Sequence, residues 1–328
     1  MKPTFTIAIC AFNARQRIHR ALDALVGLNY SGSWNVLVVD NASTDGTAEL
    51  VSAWQTRLPD LRVIREATPG VGFARMRAMR EAVGTHLCFV DDDNLLAADY
   101  LEIAAAILDQ HPEVGVIAGR SELLELAPPP SWFPVVASNY AVGDQYGQEG
   151  LMANPCSVWG AGSVLRGEAV KQLLATGFTP LLTGRLGRFQ LAGEDAEICL
   201  ALNLLGWRSY WCPQMTIRHA IEPARMTLPM LRRTAEGFGI SAIALETYRA
   251  YFQPRRTRLI KHSDILFAAY ICYRFVIAVV RLPAGGTRDR ANYWLALGLM
   301  KGFFLAGMRP SRILTAAFFG ALRSPGRC

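Results

Sequence analysis

As far as residue 118, short apolar runs alternate with segments of helical period, and that alternation leaves the chain few folds to choose from. The runs at 5–10, 36–39, 61–65, 86–90 and 115–118 are strand-length and largely apolar on both faces, while 14–27, 47–58, 73–83 and 97–110 carry the spacing of helices that bury one stripe. Strands that are apolar on both faces need cover on both, and a strand–helix–strand connection returns the chain parallel. The expectation is therefore an α/β domain with a doubly wound, mainly parallel sheet and flanking helices.

Beyond this region, 128–162 holds a triple proline, Trp132, Phe133, Trp159 and several glycines without a period, and it reads as a long loop or lid. A helix at 196–205 ends at Gly206, and a strand at 207–212 leads towards His219. The globular domain is expected to close near Gly239, giving a domain at 1–239 and a tail at 240–328. The seven cysteines are odd in number, lack CxxC spacing and in several cases sit in apolar runs, which suits free thiols in a reducing cytosol. The first residues lack the basic flank and long apolar stretch of a signal peptide, so nothing in them directs export.

Charge divides the chain. From Tyr248 onward there are 14 lysines and arginines against two acids, Asp264 and Asp289, a net +12; the preceding 247 residues carry 20 basic and 25 acidic groups, a net −5. The neighbours of these basic residues are the apolar segments 265–280 and 293–308, which favour an anionic membrane surface over nucleic acid. Each is 16 residues long with a charge inside it, Arg274 or Lys301, and so is short for a span. The tail is expected to be a basic, apolar helical region lying in the membrane interface or re-entrant from the cytosol. The plainer alternative is a helical cap on the core.

Candidate chemistry gathers at predicted strand ends. Asp91, Asp92, Asp93 and Asn94 follow the strand at 86–90, where clustered carboxylates invite a divalent cation; a capping turn for the next helix is the ordinary alternative. Asp40 ends the strand at 36–39, placed to accept from the imide of a uracil, although the residues after it also suit a helix start. Gly70 and Gly72 would let backbone approach a ligand, with Arg75 near the helix start. Glu194 and Asp195 form a second acidic pair, one of which could accept a proton from a hydroxyl or simply cap a helix. His219 alone is more often structural than a ligand.

Taken in order, TIAICAFN, VDNASTDGT, PGVGFARMRA, FVDDDN, WGAGSVLRGEA and GEDAEICLALNLLGW resemble family 2 glycosyltransferases, which have the GT-A fold. The resemblance covers about residues 4–239. It implies that Ala11, Phe12 and Asn13 line a nucleotide pocket, that Asp40 holds the uracil, and that Arg75 sits near the base or the diphosphate. Asp91 and Asp93 are similar to a D-x-D pair, with Asp92 on the nucleotide-sugar side; Asp93, Asp91 and His219 would hold Mn²⁺ or Mg²⁺. Asp195 resembles the catalytic base, with Glu194 beside it, and Gly160, Ala161 and Gly162 resemble the loop under the donor sugar.

The implied activity is a metal-dependent, inverting transfer of a sugar from a nucleotide-sugar, UDP-linked, to an acceptor hydroxyl. The QxxRW motif of processive synthases is absent; the corresponding stretch reads PMLRRTAEGFG, which favours adding one sugar, with Arg232 or Arg233 assisting the phosphates. The basic, apolar tail points to a lipid-linked acceptor in surface glycan assembly, at the cytoplasmic side of the bacterial inner membrane. Two rivals remain. A nucleotidyltransferase would show a glycine-rich, basic loop after the first strand, where this chain reads AFNARQR; a non-catalytic nucleotide-sugar-binding membrane scaffold would have lost the metal or base carboxylates, and both sets are present.

Overall fold

The computed structural model describes residues 2–186, 189–252, 264–282 and 285–305. The basic stretch at 255–261, the end of the second apolar run at 306–308, and Cys328 lie outside them. The strands are β1 (Phe5–Ala11), β2 (Trp34–Asp40), β3 (Arg62–Arg65), β4 (His86–Asp91), β5 (Asn94–Leu96), β6 (Val114–Leu123), β7 (Gly150–Leu151), β8 (Val164–Arg166), β9 (Arg185–Leu186), β10 (Phe189–Gln190) and β11 (Arg208–His219). The helices are α1 (Ile18–Val26), α2 (Thr47–Ser52), α3 (Val71–Glu81), α4 (Tyr100–Gln110), α5 (Phe133–Val136), α6 (Gly167–Ala175), α7 (Glu194–Leu204), α8 (Leu228–Tyr251), α9 (Asp264–Arg281) and α10 (Thr287–Leu305).

Nine strands form one sheet in the order β3-β2-β1-β4-β8-β6-β11-β5, with β7 paired to β11. The contacts β1–β2, β1–β4, β2–β3 and β6–β11 are parallel, while β8 runs antiparallel between β4 and β6. The expected doubly wound, mainly parallel sheet is thus observed. Alternate side chains of β1 explain its two covered faces. Phe5, Ile7 and Ile9 pack with Ile18, Leu22 and Leu25 of α1, Val51 of α2 and Leu101 of α4. Ala8 faces the opposite layer, with Ala74 and Met79 of α3, Leu173 of α6 and Leu200 of α7.

The element ends depart from expectation where local hydrogen bonds intervene. Helix α1 begins at Ile18 rather than at 14, after a turn in which Ala14 O accepts from the N–H groups of Arg17 and Ile18 at 3.0 and 2.9 Å. Residues 94–96, for which no strand was expected, form β5 against the end of β11. The 128–162 loop contains α5, a 3₁₀ turn at Ala137–Tyr140 and β7. The strand expected at 207–212 continues to His219 through a register shift between Cys212 and Thr216.

Helix α8 runs continuously through Gly239 and carries α10 on its side. Three glycines set their spacing: a Cβ on Gly239 would strike Leu295 O, one on Gly298 would strike Glu236 O, and one on Gly302 would meet Ile240 O. Lys301 pairs with Glu236 across the same contact. Among the described residues, no helix is long and apolar enough to cross a membrane. Since backbone atoms cannot yield as a side chain can, Gly298→Val should cost about 2–3 kcal/mol by overpacking. The urea midpoint measures it, with Gly286→Ala, which meets nothing within 4 Å, as a control expected to stay within about 0.5 kcal/mol.

Candidate active site

Register brings the acids together. Ala11 lies opposite Asp40 on one side of β1, and Cys10 lies opposite Asp91 on the other. The chain leaves β1 towards β2 and returns to β4 across it, so the crevice above these tips is the switch point where open α/β sheets bind ligands. Asp40 is buried there, and its Oδ1 has no partner in the protein. The Ala11 side chain is buried; its carbonyl accepts from Asn41 N–H at 2.8 Å. Phe12 is 45% exposed beyond it. Asn13 adopts φ +46, and its Oδ1 accepts from Thr44 N–H at 2.9 Å, joining the loops after β1 and β2.

Gly70, the cap of α3, and Gly72, in its first turn, serve a purpose that differs from the expected one. A Cβ on Gly70 would strike Thr183 O, and one on Gly72 would come within 2.7 Å of Leu182 O, so the two glycines admit the chain's own 182–183 backbone rather than a ligand. Asn41 holds the turn by accepting from Gly70 N–H at 2.7 Å and donating to Thr68 O at 2.7 Å. This anchors α3 so that Arg75 enters the interior.

The Arg75 side chain is 5% exposed, with Nη2 at 3.3 Å from Asp91 Oδ1 and Nη1 at 3.8 Å from Glu194 Oε1. Its guanidinium carbon lies 5.4 Å from the centroid of the Phe89 ring. Arg75 therefore stands on the acid-pair side of the site. Burial works against its charge, but Glu194, Asp91 and Asp195 outweigh burial and hold its pKa above the ordinary arginine value. Burial pushes the Glu194 carboxyl up to about 7, against the opposing charge of Arg75. Glu194 Oε2 is buried without a partner.

Asp195 sits in the first turn of α7, where Oδ2 accepts from Gly160 N–H and Oδ1 from Ala196 N–H, both at 2.7 Å. The helix cap itself is Gly193, at φ +109. Gly160 must lack a side chain: a Cβ would strike the Arg75 guanidinium and the Asp195 Cβ. Next to it, the carbonyl of Gly162, at φ +74, accepts from Tyr100 OH at 2.6 Å. The loop Gly160–Ala161–Gly162 is thus fixed between the acid pair and α4.

The remaining acids of the β4 tip each meet a different arginine. Both Asp92 oxygens accept from Arg17, through Nε and Nη2, at 2.7 Å, and Arg17 also donates to the carbonyls of Phe12 and Asn13. Burial raises Asp92 to about 6 despite this pairing. Asp92 therefore secures the β1 loop. Asp93 is ion-paired with Arg225, accepts from Asn94 Nδ2 at 3.0 Å and lies 3.4 Å from His219 Nε2. Burial alone would raise Asp93, but its contacts with His219, Arg225 and Arg17 hold it below the usual carboxylate range.

His219 reaches Asp93 because β5 pairs Asn94 with His219. The donor set fits a hard cation such as Mn²⁺ or Mg²⁺. Carboxylate and imidazole converge here, while His219 Nδ1 and Asn94 Oδ1 are buried without partners. Among the described residues, no group of three or more histidine, cysteine, aspartate or glutamate side chains is arranged to hold a metal ion.

Sequence reasoning missed Arg17, Asn41 and Arg225. Arg17 and Asn41 resemble ordinary helix-lead and turn residues, and only long-range pairing shows their purpose. Of Arg232 and Arg233, one of which was expected to assist the phosphates, Arg232 pairs with Glu236 at 2.7 Å on α8 and Arg233 is exposed on the same helix, while Arg225 pairs with Asp93 at the acidic tip.

A family model described as glycosyltransferase like family 2 matches residues 3–239. The chain is 31% identical over 110 residues to the poly(ribitol-phosphate) beta-N-acetylglucosaminyltransferase TarS of Staphylococcus aureus, covering 33% of this chain and 19% of that one. It is 30% identical over 119 residues to a PGL/p-HBAD biosynthesis glycosyltransferase of Mycobacterium tuberculosis, covering 36% and 46%. These matches span less than half of each relative's length. In solved structures, TarS 1-349 in complex with UDP-GlcNAc superposes with TM-score 0.53 at 16% identity, over 94% of this chain and 92% of that one. The mannosyltransferase PcManGT of Pyrobaculum calidifontis, in complex with GDP-Man and Mn²⁺, superposes with TM-score 0.55 at 22% identity, over 98% and 86%. The likenesses establish a GT-A-like fold.

The raised Glu194 carboxyl has a consequence for stability. Its folded value of about 7 lies above the ordinary 4.5, so its contribution to stability is present below about 4.5 and lost as pH rises through 7. Glu194→Gln, which does not titrate, should therefore gain in denaturation midpoint relative to wild type between pH 5 and pH 8. A difference that stays constant across that range would show that Glu194 is not buried as described.

Proposed function

Because the chain belongs to glycosyltransferase-like family 2, we propose that it moves one sugar from a nucleotide-sugar, UDP-linked, to an acceptor hydroxyl by a single inverting displacement. The observation that carries this reading is the arrangement around Arg75. One buried cation joins the β4 tip, where a nucleotide would bind, to the acid pair of α7, where a base is needed.

Asp40, with an unpartnered oxygen at the tip of β2, accepts from the uracil N–H. Asp195 is held by two backbone N–H groups beside the Gly160 loop and takes the proton of the acceptor hydroxyl. The acceptor oxygen forms its bond to the anomeric carbon as the bond to the diphosphate breaks, and the electron pair leaves with the phosphate. Asp93 and His219, with Asp91 nearby, would hold Mn²⁺ or Mg²⁺, whose positive charge when bound favours departure of the diphosphate. Arg225 stands beside Asp93 and adds a second cation on that side.

The basic, apolar tail supports an acceptor that is itself carried on a lipid, in surface glycan assembly at the cytoplasmic side of the bacterial inner membrane. The replacement of QxxRW by PMLRRTAEGFG supports the addition of one sugar rather than a chain.

Purified protein offered a panel of nucleotide-sugars, with Mn²⁺ or EDTA, should consume one UDP-sugar only in the presence of metal. Asp195→Asn should lower kcat by roughly 10²–10⁴-fold with UDP affinity nearly unchanged, as expected for loss of a general base. Asp40→Ala should weaken UDP binding by about tenfold or more in calorimetry, the worth of a hydrogen bond to a charged acceptor. Asp93→Ala should abolish turnover with or without Mn²⁺. If nucleotide-sugars bind but none reacts under any metal condition, the scaffold reading takes precedence; if none binds at all, both readings fail, and retention of anomeric configuration would remove Asp195 from its role.

A further inference from the structure

Of the three arginines that meet the β4 tip, Arg225 is held differently from the other two. Arg17 binds both Asp92 oxygens at 2.7 Å and also donates to two backbone carbonyls, and Arg75 is buried between Asp91 and Glu194. The Arg225 side chain is 40% exposed, and among the described residues its guanidinium meets one acceptor, Asp93 Oδ2, through Nη1. A guanidinium carries five N–H donors, so most of this one's capacity is unused. The acceptor is fixed where the donor is loose. Asp93 is buried, its Oδ1 accepts from Asn94 Nδ2 at 3.0 Å, and its backbone carbonyl accepts from Ala220 N–H at 2.8 Å. Asp93 Oδ2 also lies 3.4 Å from His219 Nε2, so the guanidinium takes the oxygen that a divalent cation shared by Asp93 and His219 would need.

We propose that Arg225 is an exchangeable counter-ion: in the free protein it neutralises Asp93, and when a divalent cation is bound there it turns from Asp93 to the diphosphate of the nucleotide. Two positive charges on one carboxylate oxygen repel each other, which drives the guanidinium off. The side chain can make the turn alone. The Arg225 carbonyl accepts from Tyr140 OH at 3.3 Å, and Ile221 and Met226, on either side of the 3₁₀ turn Pro223–Arg225, are buried in a cluster with Phe133, Val136 and Tyr140. The backbone of the turn is therefore anchored while the guanidinium is not. Phosphate oxygens suit its unused donors, because a guanidinium can bind phosphate through two parallel N–H bonds. The inference rests on the metal-dependent transferase reading and deepens it. The nucleotide gives the displaced guanidinium a new partner, so cation and nucleotide each favour the binding of the other.

The test is calorimetry on the full-length protein, with Mn²⁺ alone and with UDP in either EDTA or saturating Mn²⁺, for the wild type, Arg225→Ala and Arg225→Lys. Arg225→Ala should bind Mn²⁺ alone about tenfold more tightly than the wild type, because the competing charge is gone. The same variant should bind UDP about tenfold more weakly in saturating Mn²⁺, yet almost as well as the wild type in EDTA, where Arg225 is engaged by Asp93. Arg225→Lys, which keeps the charge but not the fork, should leave the affinity for Mn²⁺ alone within about twofold of the wild type. An equal loss of UDP affinity in EDTA and in Mn²⁺ overturns the proposal, since Arg225 would then serve the diphosphate without any exchange. So does an affinity of Arg225→Ala for Mn²⁺ alone that is no higher than the wild type's. Both of those results leave the metal-dependent transferase reading in place. That reading fails separately, and takes the proposal with it, if Mn²⁺ neither binds any of the three forms nor changes their affinity for UDP.

Discussion

A guanidinium with almost no access to water, set among carboxylates, is the constraint on which this site depends. A buried charge is tolerated only when it is paired and hydrogen-bonded. Arg75 meets that condition by drawing Asp91 from β4 and Glu194 from α7 to itself. The demand then spreads outward. Gly160 has no side chain because Arg75 and Asp195 fill its space, and Gly70 and Gly72 are bare so that α3 can start tightly enough against 182–183 to send Arg75 inward. Glu197 anchors the same segment by accepting from the N–H groups of Leu181 and Leu182, and it takes a third hydrogen bond from Tyr248 OH of α8.

The three successive acids at the end of β4 are each matched by an arginine from a different part of the chain: Asp91 by Arg75 of α3, Asp92 by Arg17 before α1, and Asp93 by Arg225 after β11. Three like charges in sequence would repel one another if they shared one environment. Distributing them among three cations lets the strand tip keep its carboxylates and at the same time ties together the loops that frame the crevice. Asp91 is the most open of the three at 40% exposure, whereas the Asp92 and Asp93 side chains are 11% and 7% exposed.

Much of this was legible in the residues themselves. Periodicity indicated the parallel core strands and most helices because burial on two faces leaves a mark in composition. The acids at 40, 91–93 and 194–195 were visible at strand ends and a helix start, where capping accounted for them as well, and only their order beside the other motifs, through the family resemblance, gave them and His219 roles. What sequence did not show was pairing at long range. The antiparallel insertion of β8 between β4 and β6 involves three residues, too few for a period. The pairs Arg17–Asp92 and Arg225–Asp93 span 75 and 132 residues, and no local pattern marks them. The glycines of PGVGF announced a close approach correctly but not what approaches. The continuity of α8 through Gly239 was hidden because a glycine at a helix–helix crossing looks the same in sequence as one at a helix end.

The central claim is that Arg75 and Glu194 form one buried electrostatic unit that organises the site. A double-mutant cycle of Arg75→Met and Glu194→Gln, followed by chemical denaturation at pH 8, tests it most directly. Arg75→Met alone should cost about 3–5 kcal/mol, because it leaves buried carboxylates without a counter-charge. Adding Glu194→Gln should then recover more than about 1 kcal/mol of that loss, a coupling expected only of residues in contact. Additivity of the two substitutions within about 0.5 kcal/mol would contradict the account, because it would mean that the guanidinium and the carboxyl do not depend on each other.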